Sequence, residues 1–169
     1  MKHDKVDTPI VEKILRRHPK VAALKKRRTR IVALGPKPSH RGEPDDRQVV
    51  AVLHDYDDSR SMVALVDVKA KKVVALHEAP AHFQLSLDER REAEALAAKD
   101  PRVREFVGRR SLNPLTRLFF PPASPEGRRP HRTAIVFVRP SVTERRYAIV
   151  DLSLRRVVDV LTRHDLTGR

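Results

Sequence analysis

The sequence predicts an α+β protein built from two similar units, each with one helix packed on a four-stranded antiparallel sheet. The first observation is a gapless repeat, in which VALVDVKAKKVVALH at residues 63–77 matches YAIVDLSLRRVVDVL at residues 147–161. Each copy has two β-branched runs around a polar connection, which is the pattern of a β-hairpin. The second observation is that HPKV at residues 18–21 matches DPRV at residues 100–103, and each tetrapeptide ends a predicted helix. Repeats of this kind indicate a duplicated structural unit.

The first predicted unit spans residues 1–84 and begins with a helix. Asp7-Thr8-Pro9 combines a capping side chain with a proline at the first helical position, which is typical of a helix start. His18-Pro19 predicts the end of this helix or a kink in it, because a proline inside a helix removes a hydrogen bond. The remaining elements are, in order, a helical face with Ile10, Val11, Ile14 and Leu15, a further turn with Val21 and Leu24, a strand at 29–34, a polar loop at 35–46, a strand at 48–53, a turn at 55–59 and the first hairpin.

The second predicted unit spans residues 85–169 and begins with a capping box. The Ser86 hydroxyl can accept an early backbone N–H of the helix, and the Glu89 carboxylate can reach back to the backbone of Ser86. Asp100-Pro101 predicts the end of the helix. The remaining elements are, in order, a short apolar turn with Val103, Phe106 and Val107, a strand at 115–120, a polar loop at 121–131, a strand at 133–138 and the second hairpin, which completes the chain.

Each predicted hairpin has two different faces, because side chains alternate across a strand. In the second copy Ala148, Val150 and Leu152 are predicted to face the helix, and Tyr147 and Ile149 the opposite side. That opposite face is also fairly apolar. We expect it to pack against the sister unit, a loop or a partner chain.

The composition predicts a soluble protein with an aliphatic core. Of the 169 residues, 40% are hydrophobic, 34% are charged and only 4% are aromatic, with a mean hydropathy of −0.52. The absence of cysteine excludes disulfides and thiolate chemistry. The N-terminal sequence has no apolar segment typical of a signal peptide, and no apolar run approaches the about 20 residues that cross a bilayer. A cytoplasmic location is therefore predicted, although a chain trimmed of an export signal would have the same sequence.

The net charge of +14 is unevenly distributed. Residues 1–44 contain 13 Lys and Arg against 4 Asp and Glu, and residues 114–169 contain 11 against 5. Such an excess favours acidic partners, namely nucleic acid, an anionic membrane or an acidic protein. The alternative is that the charge only solvates the surface.

Two groups of basic residues are the candidate binding residues. The first lies at the end of the first helix, and the second lies along the predicted second sheet. Phosphate contacts need only Lys and Arg, and they give affinity that falls with salt and ignores sequence. The candidate residues are Arg16, Arg17, Lys20, Lys25, Lys26, Arg27, Arg28 and Arg30 in the first group, and Arg145, Arg146, Arg155 and Arg156 in the second, where Arg128, Arg129, Arg132 and Arg139 also fall.

Motifs for metal binding are weak in this sequence. His77-Glu78 and His82 are spaced differently from the zinc-protease helix motif, which needs two histidines four residues apart. The acidic stretch at 55–58 lacks the glycine and the distant glutamate of a calcium-binding loop. We expect loop histidines and a turn between strands, and we predict neither a metal nor a cofactor.

Motifs for catalysis are equally weak. Asp67 and Asp151 hold equivalent hairpin positions, where a carboxylate is typically a hydrogen-bond acceptor for turn amides rather than a catalytic acid or base. The four serines considered as nucleophiles are in no nucleophile-elbow pattern. They are Ser61, Ser86, Ser111 and Ser141.

A known family has features similar to this repeat. A helix ending in D-P-x-V, followed by strands and closed by V-D-L-x-x-x-basic-V-V, resembles the small non-catalytic N-terminal domains of copper amine oxidases and the related PepSY modules. The matching residues are 100–103 and 147–158, with the first copy at 18–21 and 63–74. The resemblance implies a cystatin-like topology, a tandem pair of units and no active site. One departure is the hairpin turn, where such modules often have glycine and this chain has none.

The sequence therefore predicts a non-enzymatic interaction or accessory module that binds a protein partner or a second copy of itself. The expected contact surfaces are the sheet edges, the second sheet face and the two polar loops at 35–46 and 121–131, which are rich in proline. The alternative is a basic nucleic-acid-binding protein that acts through phosphate contacts, although aromatic stacking platforms are few. Phe119 and Phe120 form the one adjacent aromatic pair, and we expect both in the core. A third and weaker alternative is an enzyme with a cleft between the units.

Overall fold

The two repeats fold into two separate sheets in the structure, which is a computed structural model. The structure describes residues 8–24, 26–37, 45–79, 83–120 and 130–167. The chain divides into two compact units, Met1–Phe83 and Gln84–Arg169. Each unit contains one four-stranded antiparallel sheet with its strands in chain order. The protein is therefore α+β, as the sequence predicts.

Unit 1 has a core formed by helical residues and by alternate residues of two central strands. Val11, Ile14 and Leu15 are buried in one cluster with Ala51 and Ala64. The alternation follows from the two-residue period of a strand, which turns every second side chain to the same face. The elements of the unit are α1 (Thr8–Leu15), α2 (Pro19–Ala22), β1 (Thr29–Lys37), β2 (Asp45–Asp55), β3 (Arg60–Asp67) and β4 (Lys72–Ala79).

Strand β1 is longer than the sequence predicts. The predicted strand covers residues 29–34, but the observed strand continues to Lys37, and Pro36 pairs with Val49. A proline is tolerated there because β1 lies at the edge of its sheet, where one row of backbone N–H groups needs no partner strand. The predicted loop at 35–46 is accordingly shorter, and its residues 38–44 lie outside the described part of the chain.

Unit 2 has the same order of elements, with an additional helix at its end. The Ser86 Oγ accepts the Glu89 N–H at 3.2 Å and the Glu89 carboxylate accepts the Ser86 N–H at 2.8 Å, which confirms the predicted capping box. The terminal helix was not predicted. It begins after Thr162, whose hydroxyl and N–H both donate to the Asp165 carboxylate. The elements are α3 (Leu87–Lys99), α4 (Pro101–Val107), β5 (Leu115–Phe119), β6 (Thr133–Val138), β7 (Arg146–Asp151), β8 (Arg156–Leu161) and α5 (Arg163–Thr167).

The two faces of the second sheet carry different sets of buried residues. Helix α3 contacts all four strands of its sheet, and Ala148 and Val150 are fully buried. Tyr147 and Ile149, on the opposite face, form a separate cluster with Ile135, which the pairing of the strands places beside Ile149. The pair Phe119 and Phe120 is divided, because Phe119 packs against this cluster whereas Phe120 is 58% exposed. The expectation that both lie in the core is therefore wrong for Phe120.

The repeated hairpins share irregularities as well as strands. β4 has one extra residue, Val74, between its pairs with Val66 and Leu65, and β8 has Val158 at the matching position. These are β-bulges, in which two residues of one strand oppose one residue of its partner. No helix among the described residues is long and apolar enough to span a bilayer.

Candidate anion-binding site

Three of the predicted basic residues surround one pocket in unit 1. Arg16 follows the last residue of α1, Arg27 lies in the turn before β1, and Arg30 is the second residue of β1. The pocket has a volume of about 150 Å³, and half of its described lining residues are apolar and form its floor. We refer to it as the unit-1 pocket. Its described lining residues are Glu12, Leu15, Arg16, Val21, Leu24, Arg27, Thr29, Arg30, Ile31 and Leu53.

The apolar floor exists because α1, α2 and two strands meet there. Leu15, Val21, Leu24 and Leu53 are core residues that also reach the pocket surface. Arg16 extends from this core into solvent with its side chain 70% exposed, and its guanidinium lies 3.8 Å from the Glu12 carboxylate. An exposed pair at that distance holds the arginine only weakly. Arg16 is therefore the most available cation of the pocket.

The ring of Tyr56 contacts two arginines of the first basic group, Arg28 and Arg30. Its ring is only 4% exposed, with the guanidinium carbon of Arg28 4.5 Å and that of Arg30 5.8 Å from the ring centroid. The imidazole of His54 meets the same ring edge-on at 4.7 Å. Cation–π contacts of this length are attractive and restrict the arginine side chains. Arg28 and Arg30 are thus positioned by the turn that follows β2.

The acidic turn at 55–58 forms ion pairs with one member of the predicted basic group, Arg27. Asp55 is fully buried and accepts a hydrogen bond from Arg27 at 3.1 Å, and its carboxylate also lies 3.6 Å from Arg60. Arg27 is also ion-paired to Asp58. The hydrogen bonds that Arg27 donates to Asp58 and, with a smaller effect, to Asp55 raise the pKa of its guanidinium. Arg27 therefore serves mainly to hold the β2–β3 turn.

These contacts assign a structural role to the acidic turn. The Asp55 carboxylate accepts the N–H of Asp57 at 3.1 Å, and the Asp57 carboxylate accepts the N–H of Arg28 at 3.0 Å. The prediction of a turn between strands is confirmed, since β2 ends at Asp55 and β3 begins at Arg60. Among the described residues there is no group of three histidine, aspartate or glutamate side chains that could hold a metal. His77 and Glu78 lie in β4, so the expectation of a loop histidine is wrong for His77, whereas His82 lies outside the described residues.

The rest of the first basic group lies away from the unit-1 pocket lining. Arg17, Lys20 and Lys26 are exposed, and the pocket is not lined by them. Lys25 lies outside the described residues.

The second basic group is divided between the two ends of β7. Arg145 precedes the strand and Arg146 is its first residue, whereas Arg156 pairs with Asp151 at its other end. Six residues of strand span roughly 20 Å, so the two arginine pairs do not form one patch. Arg146 lies over the Phe106 ring at 5.2 Å, and Arg155 pairs with Glu92 of α3 at 2.8 Å.

Arg132 is a buried structural residue. Its side chain has no exposed surface, and it forms an ion pair with the equally buried carboxylate of Glu89. One guanidinium nitrogen donates to Glu89 Oε2 and to the Gln84 carbonyl, both at 3.0 Å. The expectation that Arg132 belongs to a surface basic patch is therefore wrong. Arg128 and Arg129 lie outside the described residues.

Two histidine pairs were not found from the sequence. His54 Nδ1 lies 2.9 Å from Ser61 Oγ, and both residues are fully buried, which places the pair out of reach of a substrate in this structure. His131 Nδ1 lies 2.6 Å from Asp151 Oδ2, and Asp151 is itself nearly buried. Each pair joins neighbouring parts of its own sheet. No signal in the sequence connects the two members of a pair, because their distance in space depends on strand register.

Comparison of the sequence with protein-family models gives no match, and comparison with curated proteins gives no significant match.

Proposed function

We propose that this protein is a non-enzymatic binding module and that the unit-1 pocket receives an acidic and apolar segment of a protein partner. The observation that carries the proposal is the position of Arg16 and Arg30 around an apolar floor. A carboxylate of the partner would pair with Arg16, and an aliphatic side chain next to it would cover Leu15 and Leu24. Arginine is suited to this role because its planar group binds carboxylates through two hydrogen bonds.

The size of the pocket favours a side chain of a protein over a complete small molecule. Pockets for drug-sized ligands have volumes of roughly 300–1,000 Å³, whereas the unit-1 pocket has about 150 Å³. An interface built around such a pocket is completed by contacts outside it, and Arg17 and Lys20 are exposed cations on the same segment of the chain. Such charges outside the pocket would accelerate encounter with an acidic partner more than they would add affinity.

The fold proposal is that each unit is a cystatin-like module with its helical layer on one face of the sheet, as the resemblance to amine oxidase N-terminal domains and PepSY modules implies. Matching bulges at Val74 and Val158 support a common origin of the two units. Contacts of α1 with β3 and β4, and of α3 with β5–β8, support the helical layer. A non-enzymatic role is part of this proposal.

Strand addition at the sheet edges is a less favourable mode of binding. β4 and β8 are the last strands of their sheets, and each contains a bulge at an exposed valine. Bulges twist an edge strand and interrupt its row of hydrogen-bonding groups, which disfavours pairing with another strand. The unit-1 pocket is therefore the better contact surface. The proline-rich loops are only partly described.

Nucleic-acid binding is the second candidate function. It is favoured by the 58% exposure of Phe120, because an exposed ring can stack on a base. Unit 1 disfavours it, because the buried Tyr56 ring offers no stacking surface to a base and Arg27 is paired with two carboxylates instead of a phosphate.

A binding titration distinguishes the two functions. Fluorescence anisotropy would be measured for the full chain with a labelled peptide of alternating glutamate and leucine, with the same peptide carrying lysine for glutamate, and with duplex DNA. We expect the acidic peptide to bind best and to retain part of its affinity at 200 mM salt, because apolar burial is not screened. Binding of DNA that is tighter than that of the acidic peptide, and that falls steeply with salt, would establish the alternative.

Arg16 and Arg17 provide a matched pair of variants for the same titration. Arg16→Gln removes a cation that lines the pocket, and we expect the peptide to bind about fivefold more weakly. Arg17→Gln removes the neighbouring exposed charge outside the pocket, and we expect almost no change. Equal losses in the two variants would mean that the affinity comes from diffuse charge, and the pocket would then not be the binding site.

A further inference from the structure

Unit 2 contains a larger groove that the proposed function does not use. It has a volume of about 690 Å³ and lies where β5 begins, β6 ends and β7 begins. We refer to it as the unit-2 groove. Its described lining residues are Ser111, Asn113, Leu115, Phe137, Arg139, Pro140, Ser141, Val142, Arg145 and Tyr147.

The floor of the groove is formed by three neighbouring strands. Leu115 pairs with Phe137, and Phe137 pairs with Tyr147, so that the three side chains lie in a row on the sheet face opposite α3. The Phe137 and Tyr147 rings meet edge-on with their centroids 5.3 Å apart. The row is the end of the apolar cluster that contains Ile135 and Ile149. A ligand with an apolar body would therefore find an apolar surface of fixed shape.

Two arginines stand at the side of this floor. Arg139 directly follows β6, and its N–H donates to the Leu112 carbonyl at 3.2 Å, which fixes its backbone. Its Nε is buried and has no hydrogen-bond partner among the described residues. Arg145 directly precedes β7 and is exposed. A buried donor without a partner is uncommon, and it is the kind of group that a bound acceptor satisfies.

The groove has no acidic group to compensate these two cations. None of its described lining residues is an aspartate or glutamate. Glu144, the acidic residue next to Arg145 in the chain, is held by an ion pair with Arg110 and accepts a hydrogen bond from Ser141 at 3.1 Å. The charge of the groove is thus positive, and its volume lies in the range of small-molecule sites.

We propose that the unit-2 groove binds a carboxylate joined to an apolar body, with the carboxylate on Arg139 and Arg145 and the body on Phe137, Tyr147 and Leu115. Arginine pairs carboxylates with two hydrogen bonds, and Arg139 Nε provides one donor that lacks a partner. Ser111, Ser141 and Asn113 supply further polar groups at the rim. The carboxylate comes either from a free organic acid or from the C-terminus of a peptide. This site is independent of the unit-1 pocket.

The test is an NMR titration of the full chain with matched probes. The probes are 4-phenylbutyrate, its neutral primary amide, and an N-acetylated Leu-Phe dipeptide with either a free or an amidated C-terminus. We expect saturable shifts of the Asn113, Phe137 and Tyr147 amides with the two carboxylates and none with the two amides. Tighter binding of the butyrate identifies a free acid as the source of the carboxylate, and tighter binding of the peptide identifies a C-terminus. Equal binding of the neutral probes would overturn the proposal.

Arginine variants complete the test. Arg139→Gln should weaken carboxylate binding at least about tenfold without loss of folding, since its buried Nε makes no hydrogen bond among the described residues. Arg145→Gln, at an exposed position, should weaken it less. Arg117→Gln is the control, because Arg117 is exposed on the same sheet outside the groove. Unchanged affinity in both Arg139→Gln and Arg145→Gln, or an equal loss in Arg117→Gln, would contradict the site.

Discussion

Asp67 and Asp151 make the same hydrogen bond in two different sheets. The carboxylate of Asp67 accepts the N–H of Ala70 at 2.7 Å, and that of Asp151 accepts the N–H of Leu154 at 2.8 Å. Each bond closes the polar connection of one hairpin. The interpretation of these aspartates as acceptors for turn amides is therefore confirmed. Turn geometry explains why each hairpin has an aspartate at this position.

Removal of these carboxylates should open the hairpins to different extents. Asp67→Ala should cost about 1 kcal/mol, because it removes one exposed acceptor. Asp151→Ala should cost about 2 kcal/mol, because Asp151 is nearly buried and also contacts His131. Amide hydrogen exchange at Ala70 and Leu154 measures the two effects separately. Faster exchange at Leu154 in the Asp67 variant would show that the hairpins are coupled, which these bonds do not predict.

The hairpin turns also contain strained residues at equivalent positions. Lys71 has φ 52° and Arg155 has φ 54°, in the left-handed region that favours glycine. Lys71→Gly should leave the free energy of unfolding unchanged or raise it by up to about 1 kcal/mol, because relief of strain opposes the extra entropy of the unfolded chain. Ala70→Gly is the matched control and should destabilise. Urea denaturation measures both, and a loss of stability in Lys71→Gly comparable with that of the control would be inconsistent with strain.

The buried pair of Arg132 and Glu89 should be the most sensitive contact of unit 2. Arg132→Met leaves an unpaired carboxylate among buried groups and should cost about 3–5 kcal/mol. Thermal and urea denaturation measure this loss. The double variant Glu89→Gln with Arg132→Met should be more stable than Arg132→Met alone, because glutamine keeps the capping box without a buried charge. A double variant that is less stable than the single variant would contradict this account of the pair.

Asp100 should make the stability of unit 2 depend on pH. It caps α4 by accepting the Arg102 N–H at 2.9 Å, and hydrogen bonds from the Arg102 side chain hold its pKa below the usual range. Because the folded pKa is the lower one, this stabilisation is complete above the unfolded pKa of about 3.9 and is lost as the pH falls through the folded value.

The substitution Asp100→Ala should cost about 1 kcal/mol at pH 7. Asp100→Asn keeps the cap without the charge, so that its difference from the native protein measures the charged part alone. We expect that difference to disappear in urea denaturation carried out at acidic pH. A difference that persists unchanged at pH 2 would exclude the ionised carboxylate as its cause.

Features set by local sequence were predictable here. The Ser86 capping box depends on residues three positions apart, and the helix boundaries at His18-Pro19 and Asp100-Pro101 depend on proline. The repeat also related the two hairpins, which share a bulge and a strained turn residue. Such signals are contained in a few neighbouring residues, and tertiary contacts rarely override them.

Features set by distant pairing were not predictable. Arg27 pairs with Asp55, which lies 28 positions later in the sequence. The register of β1 and β2 brings the two side chains together. Arg132 pairs with Glu89 across 43 positions. From the sequence alone an arginine beside a polar loop is equally compatible with a surface patch and with a buried ion pair. The candidate site therefore contains only part of the predicted basic group.

The chain contains two tyrosines and no tryptophan, and each unit has one tyrosine in a buried position, Tyr56 in unit 1 and Tyr147 in unit 2. The tyrosine absorbance and tyrosine emission of this protein thus arise from one side chain per half. Tyr56→Phe or Tyr147→Phe removes the tyrosine signal of one unit. The thermal unfolding of the other unit can then be followed by its own tyrosine, without an external label.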